Sequence, residues 1–536
     1  MMRGSKNWKT LLLPAGMVAA LLGCESEWFP IEPVTAHAPV EFEGALAFVD
    51  AAEGGLVIVD PAASAGESGA RRFVRVPLDG RVGSMVSIPN AMEPGRSRVV
   101  VTDELKARVH VVSDKTGAVK SASTEIPVDT FLFREDGHYA VAFDKDGDVS
   151  GEQFVSFPNA VSVLNLKGTT PEVTVVRAGE ARARPAHVAF ARPTAFGSET
   201  VKVQLALLFV QSGVVALDLA AGTTGRVIPL GSPSDPMTPA EALFSNNQGD
   251  ARTGTVDDVE RVFVRTVSGR LLVLTVEPGA SGSLEVTLDN IVTPQSEVED
   301  IELYYTAAGE PKLLCATRTG VVVVNGYTGV AESFPLSTPI SRLASYTEAD
   351  TGKAMVIAWS AGTHRSRFYL IEPGALRRGR SRGIDEIMVS QAIVDVSLAT
   401  GQSRAVLEYV NAQELGFVAL DSTRTTDDLR LSTSLSDHAL DPAGERVLLT
   451  GSVGGLEREL FATLELDGLR NTTVELDLSG VRVGQVGAYY WVEHPGAYGS
   501  VTFIPRDNLT REAALRFENF LLLDVLDEDA RNAKGE

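Results

Sequence analysis

The chain has 536 residues, 44% hydrophobic and 22% charged, a composition that supports a large buried core and excludes a wholly disordered protein. Acids outnumber bases, 70 to 48, for a formal charge of −22. That excess excludes nucleic acid as a partner and excludes adsorption to anionic head groups, since both would be repelled.

In chain order, residues 1–10 contain Arg3, Lys6 and Lys9 and no acid. The apolar run that follows is interrupted by Pro14 and Gly16 and is far shorter than the roughly 20 residues a spanning helix needs. A positive segment, a short apolar segment and a small residue together mark a cleaved export signal. Leu21, Leu22, Gly23 and Cys24 resemble the lipobox of bacterial lipoproteins. The resemblance implies cleavage before Cys24, a diacylglycerol thioether on its sulfur and a palmitate-type acyl chain on the new amino terminus. Several chains anchor far better than one, because each buried CH₂ contributes about 0.8 kcal/mol. Glu25 stands where the family's inner-membrane retention signal has Asp, so the outer membrane is expected over the inner. The alternative is an ordinary secretory signal followed by an incidental cysteine. With Cys24 lipidated, Cys315 in "KLLCATRTG" has no partner within the chain and is expected to be a small buried hydrophobe.

Residues 24–43, with Pro30, Pro33 and Pro39, are expected to form an extended linker after the signal peptide of residues 1–23. Residues 44–507 then read as all-β, with short β-branched runs broken by Gly, Asp, Ser and Pro. "GLVIVDPAA", "RVHVVSDKTG", "AVSVLNLKG", "GVVALDLAAG", "GRLLVLTVEPG", "GVVVVNGYTG", "RFYLIEPG" and "GFVALDSTR" recur about every 50 residues, the spacing of four-stranded propeller blades. An apolar strand precedes each run, and strands such as "RRFVRVPL", "GRVIPL" and "AESFPL" follow. "FREDGHYAVAF" and "LDPAGERVLLTG" resemble the first turn of YVTN and WD40-like blades. "VVSDKTGAV" and "VVNGYTGVA" resemble the third-strand turn of YVTN and quinoprotein-like repeats. These resemblances imply a β-propeller of eight to nine repeats, or alternatively two smaller rings, and no particular reaction. Residues 45–78 show three strands without an inner one, so closure by strands from both termini is expected. Residues 508–536 depart from the repeat and are expected to form a short helix or a closing strand, followed by an acidic tail.

Inner strands are placed at "VDTFLF", "AHVAF", "AEALF", "VEDIELYY", "SRLAS", "VDVSLA", "SDHAL" and "GQVGAYY". Their leading polar residues, Asp129, His187, Glu241, Asp300, Arg342, Asp395, Asp437 and Gln485, would meet at one channel mouth and focus a negative field onto cations or basic groups. Plain solvation of strand ends is the alternative. In "AFDKDGDVSGEQF", Asp144, Asp146, Asp148 and Glu152 occupy positions 1, 3, 5 and 9, a spacing suited to Ca²⁺ and resembling FG-GAP calcium loops, although Val149 stands at the usual glycine. A solvated acidic turn is the competing account. Arg377, Arg378, Arg380 and Arg382 in "LRRGRSRG" offer forked donors for anions, or simply form an exposed loop.

No HExxH, GxSxG or phosphate-cradling loop occurs in the sequence. The expected function is therefore binding or scaffolding of an envelope protein or polysaccharide by a lipid-anchored propeller. The alternative is a propeller-class hydrolase or lyase, lactonase-like, with its site at the channel mouth. No cofactor is expected beyond the Ca²⁺ of the acidic loop.

Overall fold

A computed structural model describes residues 34–35 and 38–521, apart from segments of which the longest are 146–157, 192–203 and 246–258. The described residues form ten four-stranded antiparallel sheets, each a meander of strands consecutive in sequence. These are blade 1 (residues 40–77), blade 2 (84–123), blade 3 (130–177), blade 4 (185–229), blade 5 (239–292), blade 6 (298–335), blade 7 (342–388), blade 8 (393–430), blade 9 (434–476) and blade 10 (482–518). Val34–Thr35 adds a short fifth strand to the inner edge of blade 2, and the outer strand of blade 4 is split into Thr223–Thr224 and Ile228–Pro229.

The core consists of the layers between blades. Each of ten apolar clusters joins two neighbouring sheets, and the series runs around the ring without a gap. One of them sets Leu46, Phe48, Val57 and Val59 of blade 1 against Trp491, Val501, Phe503 and Phe517 of blade 10, which closes the circle. Two faces covered by neighbours explain why central strands such as "LALLFV" and "GVVVVN" are apolar almost throughout instead of alternating. Outer strands, with one edge in water, carry the charge, as in "TDDLR".

The recurring glycine that starts the third strand has a steric cause. Gly55, Gly213 and Gly320 pair directly with Pro77, Pro229 and Pro335 of the outer strands. A Cβ at these glycines would lie 2.6, 2.0 and 2.3 Å from the carbonyl oxygens of Val76, Ile228 and Phe334. Proline is tolerated opposite because the outer strand has a free edge that needs no N–H donor. Gly320 also has φ +137°, outside the range L side chains favour. Gly320→Ala is expected to destabilise the protein by about 2–3 kcal/mol, measured as a lower urea midpoint with an unchanged slope.

The third strands end in turns fastened by a side chain. Asp60 Oδ1, Asp114 Oδ1, Asp218 Oδ1, Asn325 Oδ1 and Asp421 Oδ1 each accept the backbone N–H two residues on, at 2.8–2.9 Å. The "FREDGHYAVAF" and "LDPAGERVLLTG" turns do join first to second strands, with Gly137 and Gly444 at positive φ.

Four expectations change. Ten blades stand where eight to nine repeats were counted, in a single ring and beyond the roughly four to eight usual for propellers. Blade 1 takes its inner strand from Val40–Phe42, within the stretch read as linker, and among the described residues no strand crosses from the other terminus. "GQVGAYY" is not one strand: Arg482–Val486 turns at Gly487 into Tyr489–Glu493. After a single 3₁₀ turn at Arg511–Ala513, the last described strand, Leu515–Glu518, is the outer strand of blade 10.

Candidate functional site: a charged arc at one mouth of the ring

The inner strands share an irregularity that the sequence does not announce. In blades 4, 5, 6, 8 and 9 the pairing with the second strand slips by one residue, between Pro185 and His187, Pro239 and Glu241, Val298 and Asp300, Ile393 and Asp395, and Leu435 and Asp437. Such a bulge leaves one residue unpaired and re-aims the next. In all five cases the next residue is titratable. Blade 7 places Arg342 at the equivalent position, paired with Trp359.

Directly opposed residues of an antiparallel pair share a face. Glu241 is opposite Arg265, Asp395 opposite Glu408 and Asp437 opposite Thr450. These side chains point toward the following blade, as do their strand neighbours Phe263, Val406 and Leu448, which pack there. Gln485 does not follow the rule. It is opposite Tyr490, which packs back against Leu448 and Phe461 of blade 9, so Gln485 faces the preceding blade. Blade 10 has no bulge, and its charge on the forward face is Arg482, bonded to Glu493 at 2.9 Å.

Two of the acids hold the ring together. Asp300 Oδ2 accepts the Leu343 N–H of blade 7 at 2.8 Å, and Asp437 Oδ2 accepts the Val483 N–H of blade 10 at 2.9 Å. Glu302, two residues beyond Asp300 and on the same face, accepts from the Ser345 backbone and hydroxyl. Glu241 Oε2 accepts from Arg265 Nε at 2.9 Å. Asp129 Oδ1 takes the Lys145 N–H at 2.7 Å within its own blade.

Burial shapes the electrostatics. Loss of solvent, with Asp300 beside it, pushes the Glu241 carboxyl up to about 7. Desolvation, then Asp300 and Glu241, raise Glu302 to about 8. Burial likewise raises Asp300, Asp395, Glu408, Asp437 and Glu493. Beneath the closing contact, burial lifts Glu41 to about 7 although Trp491 Nε1 donates to it at 3.4 Å. His187 moves the other way, to about 4, through burial and then the charge of Lys145. The fully buried Cys315 thiol is pushed far up by the same desolvation, which leaves it unreactive.

The arc from Glu241 to Glu493 is electrostatically continuous. Glu241 feels Asp300 and Arg342, Asp395 feels Arg342, Glu408 feels Asp395 and Asp437, and Glu493 feels Arg482 and Asp437. The structure thus brings Glu241, Asp300, Arg342, Asp395 and Asp437 together; His187 and Asp129 communicate with Lys145 instead. Arg265, Glu302, Glu408, Arg482 and Glu493 were missed. Their signal is a charge near the end of an otherwise apolar strand, as with Arg265 in "RVFVRT", Glu408 in "RAVLEY" and Glu493 in "YYWVE".

Asp144 of the acidic loop is buried, with Arg184 Nη2 at 3.9 Å from its Oδ2. Asp146, Asp148 and Glu152 lie outside the described residues, as do Cys24 and Arg377, Arg378, Arg380 and Arg382. Among the described residues no three His, Cys, Asp or Glu side chains are close enough to share a metal ion. No described helix is long and apolar enough to cross a membrane.

No family model and no curated protein matches the chain. Among solved structures, it is similar to dihydro-heme d1 dehydrogenase NirN in complex with DHE, at 14% identity and TM-score 0.40, over 72% of this chain and 76% of that one. It is also similar to BBS1N in complex with ARL6DN, at 10% identity and TM-score 0.32, over 75% and 96% of the two chains. At this distance the likeness carries no argument about ligands or chemistry.

Proposed function

We propose that the protein is an exported, lipid-anchored β-propeller of the bacterial cell envelope that works by binding, presenting a rigid ring to a protein or polysaccharide partner. The carrying observation is that the best-placed acids are committed to structure. Asp300 and Asp437 fasten one inner strand to the next, and Glu241 is neutralised by Arg265. Carboxylates held in this way build a fixed electrostatic surface, whereas acid–base catalysis needs groups that exchange protons with a substrate. The lipobox at Leu21 to Cys24 supports the anchor, and the Glu at position 25 supports the outer membrane.

Two measurements test the reading. Mass spectrometry of the mature amino terminus is expected to show a triacylated Cys24, and an unmodified, freely soluble chain would refute the anchor. Affinity purification from detergent-solubilised envelope is expected to recover a stoichiometric partner. Recovery of the propeller alone, together with turnover in a lactone and ester screen, would favour an enzyme.

A further inference from the structure

The acids of the arc are not equally occupied. Glu241, Asp300 and Glu302 are matched by Arg265, the Leu343 amide and Ser345, and Asp437 gives one oxygen to the Val483 amide, which leaves its charge without a base. In blade 8 the situation differs. Glu408 shares a face with Asp395 and faces blade 9, and the charged groups that act on it are Asp395 and Asp437, both of its own sign. No hydrogen bond or ion pair reaches the Glu408 carboxylate among the described residues. Three carboxylates from three strands therefore converge with no base among them; Arg342 and Arg482 stand at the two ends, acting on Asp395 and Asp437 respectively.

Independent polar groups point to a guest. Thr450, 1% exposed and directly opposite Asp437, has an Oγ1 without a hydrogen-bond partner. That hydroxyl lies against Gly480, where a Cβ would come within 2.1 Å of it. Trp359, 3% exposed and opposite Arg342, has an indole Nε1 that likewise lacks an acceptor. Buried polar atoms left unpaired cost about 1–3 kcal/mol each; of those among the described residues, these two stand on the forward faces of blades 7 and 9, either side of the Asp395–Glu408 pair, where a guest can serve them. The carboxylates are too dispersed to share one metal ion. A planar guanidinium, with five N–H donors in a fork, reaches several carboxylates at once. A peptide carrying it also brings carbonyl oxygens, the acceptors an indole N–H requires.

We infer that the mouth over blades 7 to 9 is a recognition site for an arginine side chain presented by a peptide segment of a protein partner, with Asp395, Glu408 and Asp437 as its counter-charges and Thr450 and Trp359 as lateral hydrogen-bonding groups. This rests on the binding-platform reading and names the chemistry of the partner.

The test is calorimetric titration of the full-length protein in detergent with an acetylated, amidated tri-arginine peptide, alongside Trp fluorescence, in which the part due to Trp359 is the signal lost in Trp359→Phe. Saturable binding is expected, weakened about tenfold or more by Glu408→Gln and about threefold by Thr450→Val. Glu512→Gln, which removes an exposed acid on the outer side of blade 10, is expected to change affinity less than about twofold. Asp395→Asn serves as a second variant should Glu408→Gln fail to fold. Absence of saturable binding, equal losses in the Glu408 and Glu512 variants, or stoichiometric displacement of the peptide by Ca²⁺ would each overturn the inference. No envelope component enters the titration, so its failure leaves the anchor and pull-down tests standing, and their failure leaves the titration interpretable.

Discussion

Stability of the full chain is expected to fall as pH rises from about 6.5, above the range in which the buried His187 and His438 act in the opposite direction, to about 8.5, and Glu302→Gln is expected to remove a large part of that slope. The sign follows from proton counts. Glu302 in the folded ring holds its proton up to about pH 8, whereas in the unfolded chain it releases it near 4.5. Between those values the folded state binds more protons than the unfolded state, so raising the pH favours unfolding by up to about 1.4 kcal/mol per unit for each such group. Stability from this source is complete below about 4.5 and is lost as pH passes through about 8. Glu241 and Glu41 act in the same direction over a window that closes near 7. Internal hydrogen bonds and partial solvation reduce the full linkage, leaving about 1–3 kcal/mol for Glu302. Urea midpoints followed by circular dichroism at several pH values are the measurement. The glutamine variant keeps the volume and an acceptor for Ser345 but cannot ionise, so its midpoints should vary less with pH. A parent protein that gains stability toward pH 8.5, or a variant with the parent's slope, would contradict the account of this cluster.

The same cluster shows what the chain disclosed in advance and what it withheld. The third strands were legible because a steric requirement repeats: glycine at 55, 213 and 320, forced by an outer-strand carbonyl, followed by a β-branched run and an Asx turn. The third strands of blades 2, 3 and 7 are legible without that glycine, from an apolar run that closes on a turn, whereas blade 9's "ELFATLE" and blade 10's "SVTFIP" escape the count. Blade 1 was read as incomplete because Val40–Phe42 is only three residues long and follows a proline-rich stretch that looks extended for another reason. The mouth was partly legible, since polar residues ahead of apolar inner strands are conspicuous. Which way each one points was not. A bulge reverses the alternation, and its presence in blade 9 but not blade 10 separates Asp437 from Gln485 although both are polar residues of an inner strand. Pairing across to Arg265 or Glu408 is a property of register, which only the assembled sheet defines.

The closing contact between blades 10 and 1 is where a core truncation should have a consequence beyond its energy. Consecutive blades elsewhere are joined by the chain itself, so a weakened interface there still has its two sheets tethered at high effective concentration. Blades 10 and 1 lie at opposite ends of the described chain and meet through side chains and polar links that include the shared apolar cluster, Arg75 Nη2 donating to the Phe520 carbonyl at 3.1 Å, and Trp491 Nε1 and the Gln485 backbone amide donating to Glu41. Phe503 is fully buried in that cluster, edge-on to Phe517 at 5.4 Å and to Tyr489 at 6.3 Å. Phe503→Ala is expected to cost about 3–5 kcal/mol through lost burial and an unfilled cavity. Phe417→Ala, an equally buried truncation between blades 8 and 9, should cost a comparable amount. The two should differ in kind. Opening the untethered interface exposes two apolar sheet faces able to pair with another copy, so the Phe503 variant should form concentration-dependent oligomers and be cut readily near both ends of the ring, while the Phe417 variant stays monomeric at the same loss of stability. Size-exclusion chromatography with light scattering, with limited proteolysis at matched stability, separates these outcomes. Identical behaviour of the two variants would mean that closure is no weaker a point than any other seam, and that something besides the packing of blade 10 on blade 1 holds the ring shut.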